Sequence, residues 1–126
     1  MSDHLRVTTS EAGGRRIVEC HGELDIATAP EVEAVVRSVL DEGAGRLRLD
    51  WSGLTFMDST GIRLLLEIVV LCRDQKVDLT WDLGPSAQRA LDAVGIHDDL
   101  LRDDTSPTGS DGPAGGSSSR GQTERP

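Results

Sequence analysis

Two hydroxyl groups that could carry chemistry lie together in Asp58-Ser59-Thr60-Gly61, a short polar stretch between two apolar runs. A serine hydroxyl can accept a phosphate, or it can attack a substrate when a neighbouring base activates it. Asp and Ser are also the residues that best accept hydrogen bonds from the unpaired N–H groups at the start of a helix. The stretch is therefore consistent with a helix N-cap at Asp58 or Ser59, with a phosphorylation site at Ser59, or with both.

A phosphate on Ser59 would be well placed electrostatically. It would lie in the first turn of a helix, where free N–H groups and the positive end of the helix dipole stabilise negative charge. It would add about −1.5 to −2 charges at pH 7, next to the like charge of Asp58. A surface that binds a partner through this helix end would change its charge sharply on modification.

A catalytic serine is the weaker hypothesis, because the sequence offers no base at a recognisable spacing. The stretch differs from the Gly-x-Ser-x-Gly elbow of hydrolases, and His4, His21 and His97 are scattered along the chain. Asp50 lies at a predicted strand end, as a phospho-accepting aspartate would, but the companion acids and lysine are not evident. The sequence has no Gly-x4-Gly-Lys loop for a nucleotide phosphate. We therefore expect a protein that is not an enzyme and that has no cofactor and no metal site.

The elements that must position these side chains follow the predicted order ββαβαβα. The predicted strands share alternating or β-rich patterns and cover 5–8, 16–20, 46–50 and 77–81. Two glycines within 11–14 predict a hairpin turn, and 21–30 is predicted to be a loop. Helices are predicted to begin near Pro30, Thr60 and Pro85. This order indicates an α/β fold with a mixed central sheet of about four strands and helices packed mainly on one face.

Apolar residues at helical spacing predict the sides of the helices that face the core. In the first helix they are Val32, Val35, Val36, Val39 and Leu40. Around the third helix, the residues expected to pack inward are Leu83, Ala87, Leu91, Val94 and Ile96. Both sets predict helices that lie on the sheet.

The second helix carries two apolar residues on the side predicted to face solvent. Arg63 and Glu67 mark that side, Val70 falls on the same stripe, and Leu66 lies beside it. Scattered apolar residues on a surface are common, so they can be without function. The alternative is an apolar patch close to the Ser59 hydroxyl that binds a partner.

Composition limits the remaining possibilities. The net charge is −9, from 22 acidic and 13 basic residues, which argues against binding to nucleic acid or to an anionic membrane. The N-terminus has no signal-peptide pattern, and Cys20 and Cys72 are predicted to be reduced core residues, so we expect a cytoplasmic protein.

We expect one domain over 4–101. Residues 102–126 are rich in Gly, Ser, Pro and Asp and are predicted to be a disordered tail.

Residues of about 5 to 101 resemble the STAS domain family and, more closely, its bacterial anti-sigma factor antagonists. The similarity rests on Gly22-Glu23-Leu24-Asp25, on Phe56-Met57-Asp58-Ser59-Thr60-Gly61 and on the separation between them. The resemblance implies that Ser59 is the phosphoacceptor. It implies that the unmodified protein binds an anti-sigma factor, which is also the ATP-dependent serine kinase, and thereby frees a sigma factor. A metal-dependent serine phosphatase would then reset the switch.

The resemblance also assigns roles around Ser59. Asp25 matches a loop aspartate near the phosphoacceptor at the end that faces the partner, and Asp58 matches the acid that precedes it. Many relatives have serine where this chain has Thr60, so Thr60 is a second possible acceptor. The residues expected to form the partner-binding surface are Asp25, Asp58, Thr60, Gly61, Leu66 and Val70. Some STAS proteins are never phosphorylated and serve as subunits of lipid-transport or signalling complexes, which is the alternative function.

Overall fold

A four-stranded mixed sheet and three helices are formed by residues 4–96, the part of the chain that the computed structural model describes. The strands are β1 (Leu5–Ala12), β2 (Arg15–Leu24), β3 (Arg46–Met57) and β4 (Asp78–Asp82). The helices are α1 (Ala29–Asp41), α2 (Ser59–Asp74) and α3 (Gly84–Ala93). This architecture confirms the predicted α/β class and the ββαβαβα order.

The strands lie in the order β1-β2-β3-β4. A tight turn at Gly13 and Gly14 joins β1 to β2 as an antiparallel hairpin, as predicted. The pairs β2–β3 and β3–β4 are parallel, and α1 and α2 provide the two crossovers. In a parallel pair the carboxyl ends of the strands lie at the same edge of the sheet. The chain therefore leaves β2 and β3 side by side.

The hydrophobic core lies between one face of the sheet and the helices. In β3, Leu47, Leu49 and Trp51 are fully buried, whereas Arg48 and Asp50 between them are partly exposed. In α1 the predicted apolar stripe faces this core, with Val32 and Val36 fully buried. Such an alternation is what strands half-buried against helices require, and it confirms that the helices pack mainly on one face.

The structure corrects several predicted strand boundaries. β1 continues past the predicted residue 8 to Ala12, and two further corrections concern the strands that lead to the site. His21–Leu24 belongs to β2 and not to a loop, since Gly22 and Leu24 pair with Leu54 and Met57 of β3. β3 likewise extends beyond residue 50 to Met57. The β2–β3 ladder has irregularities between Glu19 and His21 and between Gly22 and Glu23. A bulge interrupts the two-residue alternation from which a strand is predicted. The alternation in the sequence therefore stops several residues before β2 and β3 end.

Other predictions concern single residues. Leu83, Ala87 and Leu91 are buried as predicted, but Val94 is exposed because α3 ends at Ala93 and the chain turns there. Cys20 and Cys72 are buried and form no disulfide, as predicted. None of the three described helices combines the length and apolar composition needed to cross a lipid bilayer. The predicted tail, 102–126, and the end of the predicted domain lie outside the described residues.

Candidate functional site

The two predicted motifs meet at the carboxyl edge of the sheet. The last residues of β2 and β3, Leu24 and Met57, are paired across the parallel ladder. Asp25 and Asp58 each follow directly, and the Asp58 N–H donates a hydrogen bond to the Leu24 carbonyl at 3.3 Å. Two stretches more than thirty residues apart in sequence thus become neighbours through strand pairing.

Asp25 organises the loop that leads into α1. Its Oδ1 accepts hydrogen bonds from the N–H groups of Ala27 at 3.0 Å and Thr28 at 3.1 Å. The Thr28 hydroxyl accepts from the Asp25 N–H at 3.0 Å and donates to the Glu23 carbonyl at 2.8 Å. Thr28 is almost completely buried. The Asp25 carboxylate is therefore a structural part of this loop, and the sequence analysis did not identify Thr28 as its partner.

Asp58 is the N-cap of α2. Its Oδ1 accepts a hydrogen bond from the Thr60 N–H at 2.9 Å, and its carbonyl accepts from the Gly61 N–H at 3.0 Å. A capping carboxylate satisfies one of the unpaired donors at a helix start and adds a favourable charge at the positive end of the dipole. Of the two N-cap candidates in the sequence, the structure selects Asp58.

Ser59 is the first residue of α2 and is exposed. Within residues 4–96, its hydroxyl forms no hydrogen bond. The neighbouring Thr60 is partly buried, and its N–H is held by the cap. Because a modifying enzyme would have to reach the oxygen, Ser59 is the more accessible of the two candidate acceptors.

Gly61 lies in the packed base of the site. It is buried, and a Cβ added there would lie 2.7 Å from the Met57 Sδ and 3.1 Å from the Leu24 Cδ2. Contacts this short are outside the usual van der Waals range, so a side chain would displace Met57. The absence of a side chain at Gly61 lets the first turn of α2 sit directly on the ends of β2 and β3.

Apolar side chains are exposed around the site, as the sequence predicted for α2. Leu66 is 39% exposed and Val70 is 51% exposed, on the side of α2 that also carries Arg63 and Glu67. Ile26, in the loop after β2, is 78% exposed, and its exposure was not predicted from the sequence. Its signal was an isoleucine within a loop of small and polar residues, which a helix or strand pattern cannot explain.

A shallow, open depression lies on the other side of the β3 end. It is lined by Thr55, Phe56, Met57, Ser86, Arg89 and Ala90, from β3 and α3. Phe56 is about half exposed there. No sequence pattern predicts this depression, because it depends on α3 packing beside the part of β3 that extends past β4.

Comparison with known proteins places this geometry in a family. The model described as the STAS domain matches residues 6–109. The chain belongs to the STAS domain family. Among curated relatives, an anti-sigma-B factor antagonist of Staphylococcus epidermidis is 31% identical over 83 residues, covering 64% of this chain and 76% of the relative. The anti-sigma-F factor antagonist RsfB of Mycobacterium tuberculosis is 29% identical over 95 residues, covering 75% of this chain and 74% of the relative.

Solved structures show the same fold. An anti-sigma factor antagonist from Mycobacterium paratuberculosis superposes with a TM-score of 0.62 at 22% identity, covering 75% of this chain and 81% of that one. The phosphorylated form of the Bacillus cell fate determinant SpoIIAA superposes with a TM-score of 0.56 at 19% identity, covering 72% and 85%.

Asp50 and Asp58, two acidic residues of this STAS domain, have different surroundings. Asp50 lies within β3 and not at a strand end, which corrects the sequence interpretation. The Ser52 hydroxyl donates to its Oδ1 at 2.6 Å, and this bond, more than any other contact, lowers the pKa of Asp50. Asp58, in contrast, lies at the edge where the chain enters α2.

Among residues 4–96, no group of three or more His, Cys, Asp or Glu is arranged to hold a metal ion.

Proposed function

We propose that this STAS domain protein is an anti-sigma factor antagonist with Ser59 as its switch. The unphosphorylated form binds an anti-sigma factor and frees a sigma factor, and phosphorylation of Ser59 ends that binding. The observation that carries the proposal is the position of Ser59, exposed at the start of α2 with a hydroxyl that forms no hydrogen bond within residues 4–96. The names of the curated relatives support the antagonist role.

The partner surface surrounds this hydroxyl. It comprises the Asp25 loop, Asp58 with Thr60 at the start of α2, and Leu66 with Val70 further along the helix, over the packed base at Gly61. Leu66 and Val70 provide exposed apolar area, which contributes roughly 25 cal/mol per Å² when it is removed from water. A phosphate of about −2 charges placed beside this area would have to be desolvated on binding. Phosphorylation therefore opposes the association that the apolar side chains favour.

The partners follow from the switch. The anti-sigma factor is the serine kinase and uses ATP, and a metal-dependent serine phosphatase removes the phosphate. The chain itself acts by binding and carries out no catalysis. Since its target regulates transcription through a sigma factor, we place the protein in the cytoplasm, without direct contact to nucleic acid or membrane.

Binding measurements on matched variants test this function. The full chain is purified from its host, sites of phosphate are located by mass spectrometry, and the co-purified anti-sigma factor is used in titrations. We expect phosphate on Ser59 in a fraction of molecules. The Ser59→Glu variant is expected to bind at least about tenfold more weakly, a loss of about 1.4 kcal/mol, whereas Ser59→Ala retains binding.

The control is Ser38→Glu, which places the same charge on an exposed position of α1. It should bind as the parent does. If Ser59→Glu also bound as the parent does and no growth condition gave phosphate on Ser59, the switch would be wrong. Co-purification with a transport complex and without a kinase would then favour the alternative, a constitutive STAS subunit that binds through Leu66 and Val70.

A further inference from the structure

The face of α2 that carries Ser59 also carries a cation one turn further on. Ser59 and Arg63 are both exposed and both lie within the helix, at positions i and i+4. Side chains at this spacing are neighbours, with Cβ atoms about 5–6 Å apart. The flexible guanidinium of Arg63 is therefore within reach of any group attached to the Ser59 oxygen.

Within the described residues, Arg63 forms no ion pair that would compete for a phosphate. Within residues 4–96 no carboxylate lies within 4.0 Å of its guanidinium, although Glu67 is four positions further along α2. The contrast is Arg37 of α1, whose Nε lies 3.0 Å from the Glu33 carboxylate at the same spacing. Arg63 is thus available to a new anion in a way that Arg37 is not.

The remaining charges near Ser59 are mostly negative. Asp58 precedes it, and Asp25 follows the neighbouring strand. The loop between β2 and α1 contains no basic residue, and α2 contains only Arg63 and Arg73, near opposite ends. Arg89 of α3 is the other nearby candidate, since it lines the depression that Met57 shares. A dianion on Ser59 would therefore have Arg63 as its natural counterion.

We propose that Arg63 is the internal counterion of phosphorylated Ser59. A phosphate offers three acceptor oxygens and the guanidinium a planar fork of donors, a pairing that is short and strong. In the unmodified protein the Arg63 charge is open to a partner, next to Leu66. In the phosphorylated protein the guanidinium is paired with the phosphate. Phosphorylation therefore adds negative charge to the exposed face of α2 and also makes the Arg63 charge unavailable to a partner.

This proposal rests on Ser59 as the modified residue, but its test requires no kinase and no partner. Phosphoserine is incorporated at position 59 during translation of the full chain, and the second phosphate ionisation is followed by ³¹P NMR at low salt. The pKa of a phosphoserine is ordinarily about 6. A paired cation favours the dianion, so Arg63→Gln should raise this pKa by about 0.5 relative to the phosphorylated parent.

Two variants serve as controls. Arg46→Gln removes the same charge at the start of β3, roughly 35 Å along the strand from Ser59, and should shift the phosphate pKa by less than about 0.1 because of screening. Arg63→Lys keeps a positive charge and should restore most of the parent value. In about 1 M salt the difference between Arg63→Gln and the parent should shrink.

The proposal is overturned if Arg63→Gln and Arg46→Gln shift the phosphate pKa equally. It is also overturned if Arg89→Gln gives the larger shift, since Arg89 would then be the counterion. Circular dichroism of each variant verifies that the fold is retained. If the phosphate pKa does not respond to Arg63, Ser59 can still be phosphorylated in the host. If no phosphate is found in the host, the pairing measured on the phosphoserine protein still stands. The two experiments therefore test the two proposals independently.

Discussion

Asp58 combines two roles in one carboxylate. It caps α2 through its hydrogen bond with the Thr60 N–H, and it places a negative charge directly before Ser59. The first role stabilises the helix start on which the hydroxyl is presented. The second would add like-charge repulsion to a phosphate on Ser59, since two negative groups would then share the first turn. Substitutions at this position can separate the two roles.

Loss of the cap should destabilise the protein. We expect Asp58→Ala to lower the free energy of unfolding by about 1 kcal/mol, the usual contribution of an N-cap side chain. Asp58→Asn should lose less, because asparagine caps as well and only the charge at the helix dipole is removed. Urea denaturation measures both. Equal losses in the two variants would mean that the charge, and not the hydrogen bond, stabilises α2.

A side chain at Gly61 should also destabilise the protein. Gly61→Val would force the first turn of α2 away from Met57 and Leu24, at a cost of roughly 1–3 kcal/mol. In a Met57→Ala background the cost should be smaller, because the colliding side chain is absent. Thermal or urea unfolding of the parent, the two single variants and the double variant gives the coupling free energy between positions 57 and 61. A Gly61→Val protein with unchanged stability would contradict the close packing.

At the scale of elements, the end of β2 determines where the Asp25 loop begins. Gly22 has a φ of 113°, and a Cβ added there would collide with the carbonyl of His4, the residue that precedes β1. That carbonyl accepts a hydrogen bond from the Glu23 N–H at 2.7 Å, and the Thr55 hydroxyl donates to the Gly22 carbonyl at 3.2 Å. The glycine thus allows three neighbouring segments to meet just before the site.

Gly22→Ala should therefore be more damaging than alanine at another glycine of positive φ. Gly43→Ala is the matched control, since Gly43 has a φ of 90° but no atom within 4 Å of its Cβ position. We expect about 1–2 kcal/mol of destabilisation for Gly43→Ala from backbone strain alone. Gly22→Ala should cost about 3 kcal/mol or more, because a backbone clash adds to the strain. Equal urea midpoints for the two would rule out the close approach of His4.

At the scale of the whole molecule, one hydrophobic core lies between the sheet and the helices, and the elements that carry the site pack against it. Cys20 in β2 and Cys72 in α2 both contribute to it. Burial raises the pKa of Cys20 to about 12 and that of Cys72 to about 11. Neither thiol is therefore expected to be a redox switch in the native protein, and both report on its global unfolding.

Thiol labelling tests this view of the core. At pH 8 the native protein should react with a disulfide reagent at least about 100-fold more slowly than the urea-unfolded chain, because the thiolate is the reactive form. Folding raises both pKa values above the ordinary 9.0. The contribution of the two neutral thiols to the free energy of unfolding should therefore be fully present below pH 9 and should be lost as the pH rises towards 11 and 12. The Cys20→Ala variant assigns the remaining signal to Cys72. Fast labelling of the native protein would show that the core opens locally.

Local signals in the sequence determined the elements and the candidate hydroxyl. Helical spacing identified the buried side of α1, glycines identified the hairpin, and the polar residues before α2 limited its N-cap to Asp58 or Ser59, because each depends on interactions within a few residues. The family resemblance rested on the same short motifs. The exposure of Leu66 and Val70 followed from helical periodicity alone.

Long-range pairing decided what the sequence left open. The extension of β2 to Leu24 and of β3 to Met57 depends on a parallel ladder whose bulges conceal the strand alternation. Only that ladder brings Asp25 beside Asp58. The exposure of Ile26 and the burial of Gly61 likewise depend on where neighbouring segments lie. Hydrogen bonds and close contacts between residues distant in sequence fix these positions, and no local pattern encodes them.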